Sequence, residues 1–169
     1  MKKFGKAAAM SALVLVLGGC WESRAPLVTE AEADIPGFAA QYEYGGKPLT
    51  FRVEGKTFER INGDDVNSDI RFDFVQDRWY LVQDSTPSGG TTNTQYAFMY
   101  IRENGDLAQY NPTCDLKTRR LAGVEWISGG STGGETCLFS NYAALKKASL
   151  AYTSDLITQE PGTIYKKTR

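Results

Sequence analysis

Apolar and polar residues alternate with a period of two from Leu49 onward: Leu49, Phe51 and Val53 are interleaved with Thr50, Arg52 and Glu54. Such alternation turns one face of an extended strand to a core and the other to water. After Gly55-Lys56 a second run, Thr57 to Ile61, completes a hairpin. Ile70, Phe72 and Phe74 begin the next one, which turns around Gln76-Asp77-Arg78 and returns through Trp79-Tyr80-Leu81-Val82. A third joins Gln95 to Arg102 with Leu107 to Tyr110 across Asn104-Gly105, a dipeptide suited to the positive φ angles of a type I′ turn. Phe51, Phe72, Phe74, Phe98 and Tyr100 fall on core-facing positions. They form either an ordinary core or the wall of an apolar cavity.

Three successive hairpins make a mainly β antiparallel meander, and the open edges of such a sheet need closure or cover. The expected fold is a small barrel or strongly curved sheet with one C-terminal helix. Beyond Cys114 the pattern weakens, leaving Val124 to Ile127 and Cys137 to Phe139 as short strand candidates. The period then changes. Ser140 or Asn141 can cap a helix that carries Leu145, Ala148, Tyr152 and Leu156 on one face, with Leu150 off it. Pro161-Gly162 stops the helix, and Thr163 to Lys166 is expected as a final edge strand.

The 169 residues, 41% hydrophobic and 12% aromatic, are enough for one folded domain and too apolar for a disordered chain. There are 19 basic and 20 acidic residues; removal of Lys2, Lys3 and Lys6 leaves 16 against 20, a net of −4. That balance argues against nucleic acid, whose binding needs clustered cations. The absence of His removes the usual zinc ligand and the usual base of a serine nucleophile.

The chain opens MKKFGKAAAMSALVLVLGGC: a basic start, an uncharged apolar stretch from Ala7 to Leu17, and small residues before Cys20. This is the layout of a secretion signal, and its apolar part is short for a bilayer span. The ending Leu17-Gly18-Gly19-Cys20 resembles the lipobox of bacterial lipoproteins. That resemblance covers only the leader. It implies removal of residues 1–19, a diacylglyceryl group on the Cys20 thiol and an acyl chain such as palmitate on its amine. Trp21, where an inner-membrane retention signal would have Asp, implies the outer membrane, with the protein facing the periplasm. Residues 20–36, with Glu30, Glu32 and Asp34 and few large apolar side chains, are expected as anchor and tether, and residues 37–169 as a single periplasmic domain. In an oxidising compartment the remaining pair, Cys114 and Cys137, is expected to form a disulfide, stabilising by about 3 kcal/mol in the chain-entropy model.

The motifs that could carry chemistry are incomplete. Gly129-Gly130-Ser131-Thr132-Gly133 matches GxSxG but has no His base and no flanking strand and helix, and no GK[ST] ending marks a P-loop. Asp65-Val66-Asn67-Ser68-Asp69 begins like a calcium loop, yet Ile70 replaces the required Gly and Gln76 the closing Glu, so a loop between strands is expected there. Asp64-Asp65 and Asp73-Asp77 could serve as acid and base only if brought across a cleft. No catalytic, cofactor-binding or metal-ligating residue is assigned, and no cofactor is expected. The expectation is a non-catalytic lipoprotein, held to the membrane by Cys20, that binds an unknown envelope protein or small ligand. Trp79 and Trp126 are possible exposed anchors, and the polar stretch Asp84 to Thr94 a loop an inhibitor could present to a hydrolase. The alternatives are a lipocalin-like carrier of small apolar molecules and a carboxylate-based hydrolase.

Overall fold

The computed structural model describes residues 21–168, apart from 39, 64, 89–90, 129–133 and 157–158 and the side chains of 65, 68, 86–88 and 91–93. In chain order the elements are β1 (Trp21–Ser23), β2 (Gln41–Tyr44), β3 (Lys47–Glu54), β4 (Thr57–Asn62), β5 (Asp65–Gln76), β6 (Trp79–Ser88), β7 (Thr91–Ile101), β8 (Leu107–Tyr110), α1 (Leu116–Arg119), β9 (Val124–Ser128), β10 (Glu135–Phe139), α2 (Tyr142–Leu156) and β11 (Thr163–Lys167). Eight strands close into an antiparallel barrel in the order β2-β3-β4-β5-β6-β7-β8-β11. The expected β meander with a late helix is therefore the architecture found, and its three hairpins are β3–β4, β5–β6 and β7–β8.

The alternation sorts side chains into two cores. Tyr42, Phe51, Phe58, Phe72, Val82, Met99 and Tyr165 fill the barrel, whose eight strands leave a bore about wide enough for side chains. The opposite faces of β5 to β8 supply Val75, Trp79, Leu81, Phe98 and Ala108 to a second core, beneath α2 and a flanking sheet. Strands β6 and β7 are thus buried on both sides, as the near-continuous burial from Trp79 to Ser85 reflects. The helix behaves as its pattern requires: the Asn141 side chain accepts from the Ala144 N–H at 2.9 Å, Leu145, Ala148, Tyr152 and Leu156 are buried, and Leu150 is exposed.

Several expectations are corrected. Residues 21–36 are no tether. β1 lies between β7, antiparallel, and β10, parallel, with β9 beyond β10, and Trp21, Val28 and Ala33 are buried. The fully buried Gln83 pins this strap: its side chain accepts from the N–H groups of Leu27 (2.9 Å) and Val28 (2.8 Å) and donates to the Val28 carbonyl (3.1 Å). Farther on, Asp34 bridges to Phe72 and its carboxylate accepts from the Phe74 N–H at 2.8 Å. A sparse apolar pattern looked like a spacer because its partners are remote in sequence.

β11, expected at an edge, lies between β8 and β2 and closes the barrel. The stretch Asp84 to Thr94 is a paired ribbon rather than a loop, in register from Asp84↔Gln95 to Ser88↔Thr91. Asp65 to Asp69 belongs to β5 and not to a loop. In the β7–β8 turn only Gly105 has positive φ, at 86°; the Arg102 N–H bonds the Asp106 carbonyl and the Gly105 N–H the Arg102 carbonyl. The connection is thus a three-residue loop ending in a left-handed glycine, not a type I′ turn. Phe74 is half-exposed because β5 runs past the end of β4, whose pairing reaches only Phe58↔Ile70. Phe98 and Tyr100 belong to the core outside the barrel, not to its bore.

Candidate functional site

Cys20 and the GxSxG stretch around Ser131 lie outside the described residues. Cys114 and Cys137 lie at disulfide distance, with an S–S separation of 2.02 Å and Cα atoms 5.2 Å apart. The bridge packs directly against the residue that follows Cys20. Trp21 is the register partner of Cys137, its indole N–H donates to the Thr113 carbonyl at 3.0 Å, and its ring meets Phe98, Phe139 and Tyr152 at centroid distances of 5.0–5.5 Å. Trp21 and the disulfide, about a hundred residues apart in sequence, thus converge on one end of the second core.

Around this end the surface is partly apolar. In α1, capped by Asp115 on the Thr118 N–H at 2.7 Å, Leu116 is 67% exposed. Trp126 on β9, partner of Cys137 on the side away from Trp21, is 48% exposed, and the Arg119 guanidinium lies 5.0 Å above its ring. Arg119 also donates to the Cys114 carbonyl and pairs with Glu135. Of the two tryptophans considered as exposed anchors, then, Trp126 is at the surface and Trp79 is buried. Toward the Phe139 end of the same small sheet, Arg24, Leu27, Val124, Glu125, Leu138 and Phe139 line a groove of about 480 Å³.

Two buried charge clusters are further candidates for chemistry. Between β5 and α2, Asp73 receives the Lys146 ammonium at 2.6 Å on one oxygen and the Tyr142 hydroxyl at 3.0 Å on the other, while Lys146 also donates to the Phe74 carbonyl. Burial pushes the Asp73 carboxyl up from its ordinary value, against the pull of Lys146. Burial and the neighbouring carboxylate raise the Tyr142 phenol. Both carboxylate oxygens are occupied, so the cluster docks the helix on the barrel. Its supposed partner Asp77 sits exposed in the β5–β6 turn, and Asp64 is outside the described residues.

Inside the barrel, Asn67 donates to Asp84 at 2.7 Å, Arg60 lies 3.8 Å from it, and Tyr165 donates to Gln109 at 2.7 Å. Burial pushes the Tyr165 phenol up to about 12 against the nearby Arg60. The Tyr96 phenol, bonded to Ser23 at 2.7 Å, is likewise pushed up to about 12 by burial. Among the described residues no three acidic or Cys side chains converge as metal ligands, and no helix is long and apolar enough to cross a membrane. Sequence inspection missed the polar lining of the barrel altogether; Asn67 and Asp84 each fell in what looked like a loop. No family model matches the chain, and comparisons with curated proteins and with solved structures find no match.

Proposed function

We propose that the chain is a lipid-anchored, non-catalytic module of a bacterial envelope, acylated at Cys20, held at the outer membrane facing the periplasm, and working by binding a partner on its outer surface. The observation that supports this is where space and polar groups are found. The barrel bore is occupied by its own side chains, among them Phe38, which packs on Phe51, Phe58 and Phe72 at centroid distances of 5.3–5.6 Å. The buried carboxylates of Asp73 and Asp84 are engaged by residues of the chain itself. Both features favour a binder over a carboxylate hydrolase, and a filled bore favours it over a lipocalin-like carrier. The groove between Arg24 and Glu125 has the volume of a ligand pocket, which suits a short apolar segment of an envelope protein. The β6–β7 ribbon supports a second version of the same class, an inhibitor that presents a hairpin to a hydrolase.

In-cell cross-linking of the native protein, with mass spectrometry of the adducts and a Cys20→Ser control, tests the proposal. One dominant envelope partner, lost in the control as the protein leaves the membrane fraction, is expected. An unchanged membrane fraction for Cys20→Ser would remove the anchor; uptake of a hydrophobic probe by delipidated protein in place of a partner would favour the carrier.

A further inference from the structure

Trp21, the residue next to Cys20, is already part of the buried strand β1, and this restricts how an anchored molecule can stand. We infer that the face formed by α1 and β9 seats directly on the lipid surface, with Trp126 and Leu116 in the interfacial layer; this rests on lipidation of Cys20. Consecutive Cα atoms are about 3.8 Å apart, and Trp21 is fully buried and locked into a sheet. An acyl group on Cys20 therefore has no length of chain on which to swing. Trp21, Cys137 and Trp126 form one row across three adjacent strands, so at the usual strand spacing Trp126 lies about 10 Å from Trp21. Because β1 and β10 run parallel, the N-terminal end of β1 faces the Glu135 end of β10, where Arg119 reaches Glu135 from α1.

The chemistry of this face matches an interface. Trp126 shares the sheet face of Trp21 and Cys137, but β9 is the outermost described strand, and the Arg119 guanidinium stacks over its ring. Tryptophan and arginine or lysine are the side chains that settle at headgroup level, with an apolar body and a polar tip. Leu116, three positions before Arg119 in α1, adds an exposed aliphatic group. Two cations of this face are matched locally, Lys117 with Asp155 and Arg119 with Glu135, and Arg120, exposed one turn beyond Leu116, adds a third. The seat therefore draws on the anchor, on apolar contact and on this cation together.

The test uses lipidated protein extracted from membranes and reconstituted in phosphatidylethanolamine and phosphatidylglycerol vesicles, with or without phospholipid brominated near the headgroup end of its acyl chains. Trp126 emission, taken as the difference between the wild type and Trp126→Phe, is expected to fall about twofold in brominated vesicles. A Leu116→Trp substitution on the Trp126→Phe background reports independently, at a site exposed enough to tolerate it, and is expected to be quenched as well. Val53→Trp, on an exposed position of β3 across the barrel from β7, is expected to be unaffected. Vesicle-bound protein whose positions 126 and 116 escape quenching, as they would under a protein partner, overturns the seat while leaving the anchor intact. Quenching at position 53 equal to that at 126 overturns it too. Wild type that fails to float with vesicles, or floats no better than Cys20→Ser, overturns the anchor and the seat with it.

Discussion

Asp73 is a carboxylate that burial works to neutralise and Lys146 works to keep charged. Because its folded pKa is raised, the linkage sign is fixed: the contribution to stability is fully present below the unfolded value near 3.8 and is lost as pH rises through the raised folded value. Removing Lys146 leaves the carboxylate without its cation at neutral pH. Lys146→Met is expected to cost about 2 kcal/mol at pH 7, less than breaking a fully buried pair because Lys146 is partly exposed. The deficit should shrink as pH falls toward 4 and Asp73 takes up a proton. Urea unfolding of a Cys20→Ser form at the two pH values measures it, and an equal deficit at both would assign the loss to packing instead of charge. Nothing in the sequence marks this pair, since the two residues are on a strand and a helix far apart in the chain. A sequence can list acidic residues, but the neighbours that engage each one are set by the fold.

At the scale of elements, legibility followed the number of residues that share one periodic pattern. The α2 face, spaced by three and four, was readable down to the exclusion of Leu150, and the β3–β4, β5–β6 and β7–β8 hairpins were readable from alternation. The β2–β3 hairpin was missed although Tyr42 and Tyr44 alternate and Gly45-Gly46 carry the two positive φ angles, 58° and 77°, of a tight turn. β1 was unreadable for a different reason: three residues are too few for any period, and it is held by partners about 75 and 115 positions away. Its main contribution is one large side chain. Trp21→Ala in the Cys20→Ser background is therefore expected to cost about 3–5 kcal/mol in denaturant unfolding, the range for a buried aromatic replaced by alanine. A flexible tether would give a value near zero, and so would sink the assignment of β1 to the core.

For the whole molecule, closure matters more than any one hairpin. β11 holds β8 on one side and β2 on the other, so its loss would expose two strand edges and open the bore. Truncation after Pro161 is expected to abolish the cooperative unfolding transition and produce aggregates on size-exclusion chromatography; a monomer with native near-UV circular dichroism would show that the strand is dispensable, as an edge strand would be. The sequence by itself determined the class of the fold, the β3–β4, β5–β6 and β7–β8 hairpins, the helix and its buried face, and the cysteine pair, because each is written in local periodicity or in a count. Tertiary structure alone decided that the N-terminal strap is core, that the last strand closes the barrel, that the aromatic positions divide between two cores, and that Trp126 lies in one row with Cys137 and Trp21. Those outcomes depend on which distant segments meet, and alternation states that a side chain is buried without stating against what.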